Sequence, residues 1–293
     1  MNFLRKLIYS NFYFQLIACY AFTFLYFFSN KKKIKIKFED GHWVHETFLG
    51  KYATTHPIRK AEEYLMKELP SFIKYYNIKK SDVIFDAGAG IGTEVIFFSK
   101  LVGKFGKVYA LEANPNVFKL LLKTIKINNL QNVIPINLAV YNISGETIKF
   151  ESDMRYWLSG KINNEKGNII VNSISFDDLL DYLNIKIINF AKFNIEGAEK
   201  YLIDGKQNFI KACDNVCISC HDFLEDKNSH SFLEISAMLK KNNFNLFKGN
   251  TDLKIDPIDK QFYIYAQKSK ENNVNNNEVK IDNKYKFFEK LLK

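Results

Sequence analysis

The chain has 293 residues, 47% of them hydrophobic, with a formal net charge of +10 and four cysteines. That length holds one sizeable α/β domain with appendages, and that apolar content excludes a wholly disordered chain. The charge does not point to nucleic acid, because five lysines (Lys31, Lys32, Lys33, Lys35 and Lys37) stand in one local run and no helix-turn-helix or RNA-binding signature accompanies them. Four cysteines, one of them (Cys19) inside the apolar N-terminus, make no disulfide framework, so a reducing compartment is expected.

The first element in chain order is the uncharged run LIYSNFYFQLIACYAFTFLYFF, residues 7–28. About 20 apolar residues span a bilayer, and FFSNKKK provides no small-x-small cleavage site, so a retained membrane anchor ending near residue 37 is expected. Arg5 and Lys6 precede the run and the lysine cluster follows it, which places the main domain at the cytoplasmic face. An interfacial helix or a buried aromatic helix fits the same residues. Residues 38–79 read as a helical lead-in.

From residue 80 to 268, strand and helix patterns alternate. VIFDA (83–87) reads as a buried strand, TEVIFFSKLV as a helix closing at Gly103, and KVYALEA (107–113) as a second strand. Asn114 caps the next helix with Pro115 in its first turn, and VIPINLAV follows as a third strand. Such alternation builds a parallel sheet. The turn after the first strand runs Asp86, Ala87, Gly88, Ala89, Gly90, Ile91, Gly92. A dinucleotide fingerprint would place its third glycine at Thr93, whereas D-x-G-x-G-x-G is the first motif of S-adenosylmethionine-dependent methyltransferases. Glu112 follows 24 residues after Gly88, at a strand end, where a carboxylate accepts hydrogen bonds from both hydroxyls of a ribose.

A helix is expected from Glu196 toward Ile210, then a fifth strand within CDNVCISCHD (213–222). That decapeptide matches the spacings of an iron–sulfur site, a c-type haem attachment and half a zinc site. On a strand, however, Cys217 and Cys220 point to opposite faces, so core packing is the better reading and no metal site is assigned. Ser219, His221 and Asp222, at the carboxyl end of the strand, then become one wall of an acceptor pocket. Residues 269–293 form an Asn- and Lys-rich tail, in which Phe287, Phe288, Leu291 and Leu292 share one helical face.

Read together, VIFDAGAGIGTE, ALEANPNVFKLLLKTIKINN, INLAVYNISGE, SISFDDLL and AKFNIEGAEKYLIDG resemble, in that order, the motifs of the FkbM-type methyltransferases. The resemblance implies a Rossmann-like class I methyltransferase fold, with a central, mostly parallel seven-stranded sheet and helices on both faces. It also implies S-adenosylmethionine as cofactor, held by Asp86, Gly88, Ala89, Gly90, Gly92, Glu94, Glu112, Ala113, Asn114, Asn137 and Ala139. Asn194 stands where the family has Asp, which removes one possible base or metal ligand. The catalytic candidates are Asn194, Glu196 and His221, with Glu199 beside them. The expected activity is O-methylation of a sugar, a glycan precursor or another small molecule at the cytoplasmic membrane face. No nucleic-acid partner is expected, and residues 7–28 provide membrane association. Two other classes remain: an NAD-type oxidoreductase, and a silent scaffold that kept the fold and lost acid–base function.

Overall fold

The computed structural model describes residues 12–30, 35–57, 68–152, 160–163, 165–223, 230–247 and 262–269. Residues 7–11, the lysines at 31–33 and the tail from residue 270 lie outside these.

The first element is a helix, α1 (Phe12–Asn30), and it docks on protein. Ala18 is buried with Ile36 and Trp43, while Cys19, Phe22 and Phe38 pack around them. The Trp43 ring lies edge-on to Phe22 and Phe38, with centroids 5.8 and 5.1 Å away. Ile36 N–H donates to Thr23 Oγ1 at 3.1 Å. No helix among the described residues is long and apolar enough to cross a membrane. Of the expected span over 7–28, the described part from Phe12 on is a helix that lays one face on a small sheet.

That sheet also replaces the helical lead-in expected over 38–79. It contains β1 (Lys35–Glu39), β2 (His42–Glu46) and β3 (Lys51–Thr54) in an antiparallel meander. Asp40 and Gly41 both take positive φ, 49° and 76°, the two-residue turn that matches strand twist, and K-I-K-F-E alternates along β1 as a half-buried strand requires. Helical structure in this region is confined to residues 68–72 among those described.

The main body is a seven-stranded sheet. Its strands are β4 (Val83–Ala87), β5 (Lys107–Leu111), β6 (Val133–Ile136), β11 (Phe190–Phe193), β12 (Asn215–Ser219), β13 (Phe244–Phe247) and β14 (Tyr263–Lys268). The spatial order is β13-β14-β12-β11-β4-β5-β6, with β14 antiparallel to both neighbours. Helices α2 (Thr93–Val102) and α3 (Pro115–Ile127) connect the first three strands. Side chains alternate cleanly across the sheet. Ile84, Val108, Phe190 and Cys217 enter the layer of α2 and α3, while Phe85, Leu111, Phe193 and Ile218 enter the layer of α4 (Phe176–Tyr182), α5 (Asn208–Lys211) and α6 (Phe232–Lys241). Cys220 lies in that second layer, opposite Cys217, as strand alternation requires, and Cys213, which precedes the strand, packs there as well.

The expected third strand divides after β6 into the short β7 (Ala139–Val140). This strand joins β8 (Thr147–Ser152), β9 (Gly160–Ile162) and β10 (Ile169–Ile174) in a separate four-stranded sheet with order β7-β10-β8-β9. The helix expected from Glu196 to Ile210 is a six-residue 3-10 helix, Ala198–Ile203, followed by α5. Glu196 and Gly197 both take positive φ, 54° and 94°, which delays helical geometry until Ala198.

Trp43→Ala is expected to lower the unfolding free energy by about 3 to 5 kcal/mol, the usual loss for truncating a buried Trp. Urea unfolding followed by circular dichroism measures it. An unchanged midpoint would show that α1 docks without this ring.

Candidate functional site

Above the carboxyl ends of β4, β5 and β11 opens a cleft, continuous with solvent. Its floor is set by a buried ion pair. Asp86 on β4 and Lys192 on β11 are register partners, exposed by only 0% and 1%, with Nζ 2.9 Å from Oδ1. Lys192 Nζ also donates to the Gly88 carbonyl at 2.9 Å and lies 5.0 Å from the centre of the Phe72 ring. Burial works against its charge, but the carboxylates of Asp86 and Glu94 outweigh burial and hold the ammonium above its ordinary range.

The glycine loop rises from this pair. Gly88 N–H and Ala89 N–H both donate to the Leu111 carbonyl, at 3.0 and 2.9 Å, which folds the loop over β5. A Cβ at Gly88 would stand 2.0 Å from the Asn194 carbonyl oxygen, so only glycine fits where the loop presses on the end of β11. Gly90 differs: its φ is 56° and a Cβ there would meet nothing within 4 Å. Its backbone faces open space in the cleft, where a ligand can approach the main chain.

β5 ends at Leu111, one residue before Glu112. The Glu112 carboxylate accepts from Gly90 N–H at 3.0 Å and from Asn114 N–H at 2.8 Å, tying the glycine loop to the start of α3. Asn114 caps α3, its side chain accepting from Asn116 N–H. Burial pushes the Glu112 carboxyl up to about 7, against the pull of these two N–H groups. Ala113, Ala139, Val140, Phe150 and Ile162 form the opposite, apolar wall, so the small four-stranded sheet completes one side of the cleft. A carboxylate beside open backbone and an apolar slot fits a nucleoside with free ribose hydroxyls.

Of the residues expected at the cofactor, Gly88, Ala89, Gly90, Glu94, Glu112, Ala113, Asn114 and Ala139 line the cleft. Asp86 lies beneath it with Lys192. Gly92 (φ 91°) caps α2 and faces Leu121, where a Cβ would come within 2.7 Å of Cδ1. Asn137 works on the backbone, donating to the carbonyls of Glu112 at 2.8 Å and Ala113 at 3.1 Å. Thr93, which occupies the position a dinucleotide motif reserves for glycine, is buried and donates to Glu94 at 2.7 Å.

The other end of the cleft holds Asn194 and Glu196. His221 is buried behind them, with Nε2 3.6 Å from Glu196 Oε2 and Nδ1 3.1 Å from Glu199 Oε1. Glu199 is anchored in turn, accepting from Ile195 N–H at 2.7 Å and Gly197 N–H at 2.8 Å. Burial alone would lower the His221 pKa, but Glu199 and then Glu196 outweigh it and bring it to about 9. The imidazolium is therefore the form present at neutral pH. Burial raises the Glu196 carboxyl above its ordinary range, with His221 opposing.

Ser219 is buried in β12, and Asp222 accepts from Ser231 and Phe232 N–H at 3.0 to 3.2 Å, capping the start of α6. The acceptor wall expected from Ser219, His221 and Asp222 is corrected: His221 stands behind Glu196 and the other two serve the fold. Lys192 and Phe72 were missed from sequence. A lone lysine inside the apolar strand NFAKF was the available signal, since a buried ammonium requires a carboxylate.

A model of the FkbM methyltransferase domain matches residues 86–246. The hexuronic acid methyltransferase AglP of Haloferax volcanii is 27% identical over 150 residues, covering 51% of this chain and 60% of that protein. A tRNA(Phe) (4-demethylwyosine(37)-C(7)) aminocarboxypropyltransferase of Methanocaldococcus jannaschii is 42% identical over 60 residues, 20% of this chain and 22% of that one. The chain thus spans less than two thirds of either relative. Among solved structures, fibrillarin of Aeropyrum pernix with natively bound S-adenosyl-L-methionine is 14% identical, with a TM-score of 0.41 over 80% of this chain and 99% of that chain. The fibrillarin pre-rRNA processing protein of Methanococcus jannaschii is 18% identical, with a TM-score of 0.42 over 82% and 100%.

Ribose hydroxyls donate to an ionised carboxylate, so a nucleoside ligand favours the charged form of Glu112. With the free carboxyl at about 7, affinity is fully expressed above that pH and weakens as pH falls below it. Calorimetry with S-adenosylmethionine is expected to show tighter binding at pH 8 than at pH 6. Glu112→Gln should weaken binding by roughly 10- to 100-fold, the equivalent of a charge-assisted hydrogen bond, and flatten the pH profile. A profile of the same shape in Glu112→Gln would assign the titration to another group.

Proposed function

The chain belongs to the FkbM methyltransferase family, and from that membership we propose that it transfers the methyl group of S-adenosylmethionine to a hydroxyl on a sugar, a glycan precursor or another small molecule. The observation that carries this reading is the pairing of two different carboxylates in one cleft. Glu112 stands beside the open glycine backbone, where a ribose would lie, and Glu196 stands at the far end, where an acceptor would enter. The sugar acceptor draws on the likeness to the hexuronic acid methyltransferase.

Bound at the glycine loop, S-adenosylmethionine supplies a methyl group already activated on a sulfonium, so the protein has to align the acceptor and exclude water. In this reading Asn194 orients the acceptor hydroxyl, taking the place of an aspartate, and Glu196 accepts the hydroxyl proton as the new oxygen–carbon bond forms. His221 does not touch the acceptor. It holds Glu196 from behind, and Glu199 holds His221. An acceptor hydroxyl needs a base of this kind, which favours oxygen over an already nucleophilic amine or thiol. In this reading Glu196, His221 and Glu199 supply the acid–base function whose loss would make the chain a silent scaffold.

Incubation with methyl-labelled S-adenosylmethionine and a pool of hexuronic-acid-containing glycans is expected to give a labelled, alkali-stable ether. Glu196→Gln should lower kcat by about 10²- to 10⁴-fold, with the affinity for S-adenosylmethionine unchanged. Binding of NAD in preference to S-adenosylmethionine, or labelled product undiminished in Glu196→Gln, would refute the assignment.

A further inference from the structure

Helix α1 turns one stripe onto the small sheet and another outward. Ala18 and Phe22 meet Ile36 and Trp43. Tyr13, Ile17, Tyr20 and Phe24, spaced so as to share one helical face, are exposed by 73, 64, 71 and 62%, with Leu16 and Leu25 exposed beside them. Scattered surface apolar residues need no explanation, but a continuous stripe of them on one helix marks a contact surface. No charged residue interrupts the helix. Immediately after it the sequence continues with Lys31, Lys32, Lys33, Lys35 and Lys37.

We propose that α1 is an interfacial helix that seats the folded protein on an anionic lipid surface. Ile17, Leu16, Phe24 and Leu25 enter the boundary between headgroups and acyl chains, the rings of Tyr13 and Tyr20 lie at headgroup level, and the net positive charge of the sequence that follows the helix draws this face to anionic lipid. Two observations favour this occupant. A bilayer span would have to strip Ala18 and Phe22 from Trp43 and leave the Thr23 to Ile36 hydrogen bond without its partner in lipid. A second copy of the same face would bring up a second lysine run, and among the described residues the carboxylates beside it are already engaged. The nearby Glu39 and Glu46 already pair with Lys37 at 3.9 and 2.7 Å, and Glu46 also pairs with Lys51 at 3.3 Å.

The test is flotation of the full chain with vesicles of phosphatidylcholine alone and of phosphatidylcholine mixed with phosphatidylglycerol. Flotation is read without any methyl transfer, so its failure and that of the proposed activity are separate results. The chain is expected to float with the anionic vesicles and to be released by high salt, because the lysine contribution is screened. The double variant Ile17→Glu, Tyr20→Glu should reduce the floated fraction by about tenfold or more, the scale expected when apolar contacts with lipid are replaced by charge. Its calorimetric affinity for S-adenosylmethionine and its melting temperature should not change, since both side chains point away from the folded body. Absence of flotation with anionic vesicles overturns the proposal. So does resistance to alkaline carbonate extraction, which would indicate a span. A dimer that the double variant converts to monomer, with no flotation, would assign the face to a second copy.

Discussion

The geometry of the cleft depends on one buried ion pair. Asp86 and Lys192 sit opposite each other on adjacent parallel strands, and neither charge can stay in the core alone. Removing one partner from such a pair costs about 3 to 5 kcal/mol, far more than an exposed ion pair contributes. The pair therefore helps to fix the register of β4 against β11. Because the same ammonium also holds the Gly88 carbonyl, it sets the height of the glycine loop above the sheet. The close approach of Gly88 to the Asn194 carbonyl follows from that placement and brings the loop and the catalytic candidates into one cleft.

The two ends of the cleft use carboxylates differently. Glu112 is tied to backbone N–H groups at a strand end and half-faces the opening, so a ligand with hydroxyl donors can take over its hydrogen bonds. Glu196 is held by a side chain, His221, whose charge is maintained by two carboxylates. The left-handed conformation at Glu196 is part of this arrangement. It turns Glu196 into the cleft and starts the 3-10 helix late enough for Glu199 to reach back to His221. Non-glycine residues carry such strain mainly where function requires a side chain in an otherwise unfavourable place.

Much of this was legible from local pattern. Strands β4 and β5, the Asn114 cap with Pro115, and the helix closing at Gly103 follow from periodicity and capping chemistry, because they are determined within a few residues. The first hairpin is equally local, with Asp40-Gly41 between alternating apolar residues, although the expectation over residues 38–79 is helical. The late 3-10 start and the cap made by Asp222 were not legible. The first depends on Glu199 reaching His221, 22 residues onward, and the second on where α6 begins.

By itself, the sequence determined the parallel sheet, the spacing of the glycine loop and the carboxylate that follows it, because hydrophobic period, glycine position and strand ends are properties of neighbouring residues. Only the tertiary structure decided that Lys192 belongs beneath the loop, that His221 lies behind Glu196, and that α1 lies against a sheet with its other face turned out. Those outcomes depend on partners far away in the chain. A buried charge or an apolar stripe states in sequence that it needs a partner, but only packing selects which one.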